Sequence, residues 1–135
     1  MTIVVDVANV MGSRPDGWWR DRAGAAARLH AQIVRLAASG RAVLPDTGPP
    51  GQADAPGFVL VLEGAAKAAP IPAAPNPEVR VVRAGGSGDD AIVAVVRELP
   101  GRRVVVTADR ELRDRSVAAG ATILGPGWLL GQLGD

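Results

Sequence analysis

The stretch that decides the fold is MTIVVDVANVM, residues 1–11. Residues 3–5 (IVV) form an uncharged β-branched run, short enough for a strand that is buried on both faces of a parallel sheet. The run ends on Asp6, and Asn9 follows three residues later. Open α/β sheets bind ligands outside the carboxyl ends of their strands, where the strand order reverses. We therefore predict a functional carboxylate at Asp6, with the capping of a turn as its alternative role.

The composition narrows the class of protein. The chain has 135 residues, of which 47% are hydrophobic, and this favours one ordered domain over 1–135 rather than a disordered segment. It has no cysteine, which excludes disulfides and thiolate metal sites, and its single histidine, His30, cannot form a histidine-rich zinc site. There is no signal-peptide pattern and no run of 18 apolar residues, so we predict a cytoplasmic protein without a membrane partner.

Basic and aromatic residues follow the first strand closely. The net charge is only +1, so the molecule as a whole is no polycation, but Arg14, Trp18, Trp19, Arg20 and Arg22 lie within nine positions. Such a cluster suits a strand of nucleic acid, since a guanidinium binds phosphate and an indole stacks under a base. The alternative is that one tryptophan packs into the core and the arginines are solvated. From this cluster we predict Arg14, Trp18 and Arg20 as substrate-binding residues.

The segment that follows predicts a helix and then a loop. Asp16 is placed to cap a helix that starts near Trp18 and runs to about Ser39, where Gly40 stops it. Residues 41–56 contain four prolines and little periodicity, which indicates a mobile loop.

Four more segments rich in apolar residues predict strands, and helical segments separate the later ones. The strands are expected in 58–62, 78–83, 103–109 and 121–124, and helices are expected to open at Asp89, Arg110 and Pro126. The mixed character of 78–83 suits an edge position. Strand–helix alternation implies a parallel sheet with right-handed crossovers.

Carboxylates recur where these strands end. Glu63 ends the second strand, and Thr107 and Asp109 end the fourth. Asp89 opens a helix and stands three and four residues before apolar positions, so it lies above the buried face, whereas Asp90 is turned aside. Capping and the helix dipole are the ordinary explanation for acids at this place.

A parallel sheet brings these acids to one end. Like charges in close proximity repel strongly unless a divalent cation neutralises them. Oxygen ligands favour Mg²⁺ or Mn²⁺ over zinc, and such ions promote phosphodiester hydrolysis by activating water. Asn9 and Thr107 would supply neutral hydrogen bonds. The predicted catalytic group therefore contains Asp6, Asn9, Glu63, Asp89, Thr107 and Asp109.

The order of these motifs resembles the PIN-like nuclease domains of the NYN family, and within that family its YacP-like branch. DVAN at 6–9 resembles the family's DGYN, with Val-Ala in place of Gly-Tyr, and VLEG at 61–64 resembles the acidic end of its second strand. GSGDDAIV at 86–93 resembles its helix start, and TADRELRDRSVAAGA at 107–121 resembles its TSDR…GA segment. The resemblance covers nearly the whole chain.

This resemblance implies a fold and a site. The fold is a three-layer PIN-like α/β domain with a five-stranded parallel sheet in the order 3-2-1-4-5, whose switch point lies between the first and fourth strands. The family's acidic site corresponds to Asp6, Glu63, Asp89 and Asp109, supported by Asn9 and Thr107. We expect Asp6, Asp89 and Asp109 to bind the metal directly, and Glu63 to bind it through a water molecule.

We therefore predict a ribonuclease that depends on Mg²⁺ or Mn²⁺ and hydrolyses single-stranded RNA, with Arg14, Trp18, Arg20 and Arg110 contacting the substrate. A ribosome or a second copy of the chain is a further candidate partner. Two alternatives stay open. One is a non-catalytic RNA-binding or adaptor module of the same fold, and the other is a phosphohydrolase of small nucleotides.

Overall fold

The fold is built on one five-stranded parallel sheet, seen in a computed structural model that describes residues 1–40, 42, 56–72 and 76–134. The strand order is β3-β2-β1-β4-β5. The strands are β1 (Thr2–Asp6), β2 (Gly57–Leu62), β3 (Val79–Arg83), β4 (Arg103–Val106) and β5 (Thr122–Leu124). The predicted α/β class and strand order are confirmed. The loop predicted at 41–56 lies outside the described residues, apart from 42 and 56.

The uncharged run at the start of the chain forms the central strand. Val4 of β1 pairs with Val59 of β2 on one side and with Val105 of β4 on the other. Ile3 and Val5 point into one apolar layer and Val4 into the other, and all three side chains are fully buried. A strand without a polar face fits this position because helices cover both faces of the sheet.

Two layers of helices enclose the sheet. Helices α1 (Val7–Gly12), α2 (Arg22–Ser39) and α5 (Pro126–Gln132) pack on one face, and α3 (Gly88–Glu98) and α4 (Arg110–Ala118) pack on the other. Short 3-10 turns occupy Trp18–Arg20 and Gly64–Ala68. In the described part of the chain, no helix is long and apolar enough to cross a membrane.

The region after β1 differs from its prediction. The structure adds the six-residue helix α1 directly after Asp6, and α2 begins at Arg22 rather than near residue 18. Asp21 is the N-cap of α2 and accepts a hydrogen bond from the Gly24 amide at 2.9 Å. Asp16 instead accepts from the Trp18 amide at 3.2 Å, ahead of the 3-10 turn. The end of α2 at Gly40, which has a φ of 66°, is confirmed.

Helix α3 is capped by a residue that the prediction did not use. Ser87 is its N-cap and accepts a hydrogen bond from the Asp90 amide at 3.2 Å. The carboxylate of Asp90 is exposed and pairs with Arg115 at 2.8 Å. Asp89 is therefore not needed as a cap, and its half-buried side chain lies at the start of the helix.

Candidate active site

Asp6 is the buried acid at the end of the central strand. Only 7% of its surface is exposed. It is the N-cap of α1, because Oδ1 accepts a hydrogen bond from the Asn9 amide at 3.4 Å. Its Oδ2 accepts from the Thr107 hydroxyl at 2.9 Å. The capping role, considered above as the alternative to function, is real, and it holds the carboxylate in a fixed orientation at the carboxyl end of the sheet.

Hydrogen bonds join the ends of β1 and β4. Thr107 is fully buried, and while its hydroxyl donates to Asp6, the same oxygen accepts from the Asp109 amide at 3.1 Å. The side-chain oxygen of Asn9 accepts from the Ala108 amide at 2.8 Å. Asn9 and Thr107 therefore fix the two strand ends on either side of the switch point, where ligands bind in folds of this class.

Glu63 links the end of β2 to the start of α3. Its Oε2 accepts a hydrogen bond from the Gly88 amide at 2.9 Å. A Cβ atom on Gly88 would lie only 2.6 Å from that oxygen, so the carboxylate can reach the amide because residue 88 has no side chain. Glu63 thereby holds the first turn of α3, which carries Asp89. Sequence analysis did not identify this contact, since the two residues lie 25 positions apart.

The carboxylates form one electrostatic group. The pKa of Asp6 is raised to about 6, mainly because the carboxyl group is buried. Hydrogen bonds from Thr107 and Asn9 lower this pKa, and the negative charges of Glu63 and Asp89 add to its rise. The pKa of Asp89 is also raised, first by burial and then by repulsion from Asp109 and Glu63. Acids from β1, β2, α3 and the end of β4 thus repel one another across the carboxyl end of the sheet. A cation would relieve this repulsion.

The donor chemistry suits a loosely held hard cation. Within ranges 1–40, 56–72 and 76–134, no three His, Cys, Asp or Glu side chains converge closely enough to hold a metal by themselves. The acids offer oxygen donors, which Mg²⁺ and Mn²⁺ prefer. Magnesium is commonly bound by one or two carboxylates, with water and substrate phosphate completing its shell. The group fits an ion of this kind and does not form an all-protein cage.

The predicted substrate-binding residues occupy two different places. Arg110 is exposed and begins α4, directly after Asp109. The other three lie between α1 and the start of α2. Arg14 is half-buried and donates to the side-chain oxygen of Gln32 at 2.7 Å, and Trp18 is half-buried against the core. Arg20 is exposed beside the ring of the neighbouring tryptophan.

Comparison with known proteins supports the fold. No protein-family model matches the chain, and no curated protein matches it. The structure is similar to a crystal structure of Rae1 (YacP) from Bacillus subtilis, determined for a mutant form. The two share 15% sequence identity with a TM-score of 0.69, over 99% of this chain and 74% of that chain. The chain therefore has a YacP-like fold.

Proposed function

We propose that the chain is a ribonuclease of the NYN type that depends on Mg²⁺ or Mn²⁺ and hydrolyses single-stranded RNA. The observation that carries this proposal is Asp6, a buried acid with a raised pKa that faces the negative charges of Glu63 and Asp89. A protein gains no stability from burying a carboxylate among others, so such a group points to chemistry rather than to structure. The fold shared with Rae1 (YacP) agrees with the branch of the family that the motifs resemble.

The chain's own residues would orient the reacting groups. Asp6 and Asp109 would hold the principal ion, and Asp89 would join them or hold a second one. The Thr107 hydroxyl fixes the direction in which the Asp6 carboxylate points, and Asn9 keeps the end of β4 beside it. A bound Mg²⁺ or Mn²⁺ supplies an activated water and charge stabilisation for the leaving oxygen.

The site also needs a group that attracts the substrate. Arg110 is exposed next to Asp109 at the start of α4, so its guanidinium can contact a backbone phosphate that approaches the acids. Such a contact positions RNA without reading its sequence.

The decisive experiment compares neighbouring acids in one assay. Labelled single-stranded RNA is incubated with Mn²⁺ or Mg²⁺ and the wild-type chain, Asp6→Asn, Asp89→Asn or Asp90→Asn. We expect cleavage by the wild type and losses of about 100-fold or more for Asp6→Asn and Asp89→Asn. Asp90→Asn should cleave normally, since its carboxylate is exposed and pairs with Arg115. Chelation of the metal should stop cleavage.

Three outcomes would contradict the proposal. RNA that is bound but not cleaved by the wild type would indicate the non-catalytic binding or adaptor module. Hydrolysis of mononucleotides without hydrolysis of oligomers would indicate the small-nucleotide phosphohydrolase. Equal cleavage by Asp6→Asn and the wild type would show that the cleavage does not depend on Asp6.

A further inference from the structure

Trp19 is an exposed aromatic side chain that the proposed chemistry does not use. In the described part of the chain only two large hydrophobic side chains are exposed, Trp19 at 56% and Val117 at 57%. Trp19 belongs to the 3-10 turn Trp18–Arg20, between α1 and α2. An indole is the largest apolar side chain, and its flat face can stack on another ring.

The ring of Trp18, which packs on the core, supports the ring of Trp19. Trp18 is half-buried and packs against the core formed by α1 and α2. A Cβ atom on Gly12 would lie 3.7 Å from its ring, which shows how closely the ring approaches the end of α1. The ring of Trp19 stands edge-on to that of Trp18, with 6.1 Å between centroids and 89° between planes. The exposed indole of Trp19 therefore rests on a side chain that is itself packed against the core.

Arg20 places a positive charge beside this indole. The guanidinium carbon of Arg20 lies 5.8 Å from the centroid of the Trp19 ring. Helix α2, which follows directly, contains Arg22, Arg28 and Arg35 on its exposed surface and no Asp or Glu. The nearby carboxylate of Asp21 is engaged in capping that helix. The surface thus pairs an aromatic face with positive charge, the combination that binds single-stranded nucleic acid.

The chain also fixes how far this surface lies from the acids. Asp6 caps α1, a six-residue helix about 9 Å long, and Trp18 packs at its far end. Trp19 is one ring further on, so this path from Asp6 to Trp19 is about 20 Å at most. A few nucleotides of an extended strand can span such a distance.

We propose that Trp19 is a stacking platform for an unpaired base of the RNA substrate, with Arg20 beside it for the adjoining phosphate. This inference rests on the proposed function, since it takes the RNA to be the strand that is cleaved at the acids. A platform of this kind selects single strands, because the bases of a duplex already stack on one another and cannot offer their faces.

The test measures binding separately from cleavage. Anisotropy of a labelled single-stranded RNA of twelve or so nucleotides is followed in EDTA with the wild-type chain, Trp19→Ala, Trp19→Phe and Val117→Ala. We expect Trp19→Ala to weaken binding by about 5- to 150-fold. Trp19→Phe should recover most of the affinity. Val117→Ala, at an equally exposed hydrophobic position on α4, should bind like the wild type.

A second probe checks the strand selectivity. Duplex RNA of the same length should bind the wild type and Trp19→Ala with equal affinity, since it offers no free base face. Unchanged affinity of Trp19→Ala for the single strand would overturn the platform even if the chain cleaves RNA. A chain that binds through Trp19 but cleaves nothing would refute the nuclease and leave the platform intact. Failure of the wild type to bind the single strand in EDTA would overturn the platform, whereas cleavage in the presence of Mg²⁺ or Mn²⁺ tests the nuclease separately.

Discussion

The ends of β1 and β4 each carry an aspartate that caps the following helix, but the two carboxylates differ in their exposure to solvent. Asp6 ends β1 and caps α1, and Asp109 follows β4 and caps α4 by accepting a hydrogen bond from the Leu112 amide at 2.8 Å. Asp6 is 7% exposed, whereas Asp109 is exposed to solvent. Burial gives Asp6 a raised pKa. Capping and chemistry are therefore compatible roles, and what separates the two acids is how far water is excluded.

Thr107 connects the two acids. Its hydroxyl donates to Asp6 and accepts from the Asp109 amide, so one buried oxygen serves both helix starts. The comparison predicts that substitutions at Asp6 change stability through charge, and that substitutions at Asp109 change it through capping.

The largest expected effect is a gain in stability for Asp6→Asn in the absence of metal. The pKa of Asp6 rises from 3.8 to about 6 on folding, which corresponds to at most about 3 kcal/mol of unfolding free energy lost at pH 8. Asparagine removes the charge and can still cap α1. Urea unfolding in EDTA at pH 8 should show a higher midpoint. Asp109→Asn is the matched comparison and should raise the midpoint less than Asp6→Asn does, because Asp109 is exposed although its charge repels Asp89. A less stable Asp6→Asn would contradict burial as the cause.

The pH dependence should follow the same group. Because the folded pKa of Asp6 is raised, ionisation of this group lowers the stability of the fold. This loss of stability is absent below pH 3.8 and complete above about pH 6. The stability of the wild type relative to Asp6→Asn should thus fall as the pH rises from 4 to 7 and then level off. Subtracting the variant removes most of the contribution of other groups, such as His30, whose pKa burial lowers. Thermal unfolding at several pH values in EDTA measures this difference, and a constant difference would refute the raised pKa.

Thr107→Val should cost about 1–3 kcal/mol of unfolding free energy. The substitution keeps the shape of the side chain, but it leaves Oδ2 of Asp6 without its donor and the Asp109 amide without its acceptor. Thr107→Ser keeps the hydroxyl and should recover most of the loss in the same denaturant titration. A Thr107→Val variant as stable as the wild type would refute the contribution of these two hydrogen bonds.

The smallest effect is expected at Asp109. Asp109→Ala removes the N-cap of α4 and should lower the unfolding free energy by about 1 kcal/mol, whereas Asp109→Asn should be nearly neutral because asparagine caps equally well. Calorimetric midpoints of the two variants in EDTA would show this. A gain for Asp109→Asn as large as that for Asp6→Asn would mean that the two acids carry the same charge penalty, and the contrast between the two strand ends would fail.

The sheet and its acidic end were largely predictable from sequence. Uncharged β-branched runs such as 3–5 and 104–106 can only be stable where both faces are covered, and a parallel sheet brings the residues that follow them to one end. This argument placed Asp6 and Glu63 without any contact being known. It also placed Asp90 away from the site, where the structure shows it paired with Arg115.

The local details were less predictable because three-dimensional packing decides them. Helix α1 has only six residues, too few to show a helical period. Ser87 and Asp21, rather than the acids beside or before them, became the caps of α3 and α2, since the backbone path into each helix selects the cap. Sequence could not tell which tryptophan of the adjacent pair would pack on the core, and the structure leaves Trp19 exposed.

The central position of β1 has a consequence for how the molecule assembles. Val4 comes early in the chain, but its partners, Val59 and Val105, come much later. Pairings between distant positions form slowly because a long loop must close first. During synthesis β1 keeps an open apolar edge until residues 103–106 have been made, and such an edge can pair with other chains. Asp109 can therefore join Asp6, Glu63 and Asp89 only after β4 has formed beside β1.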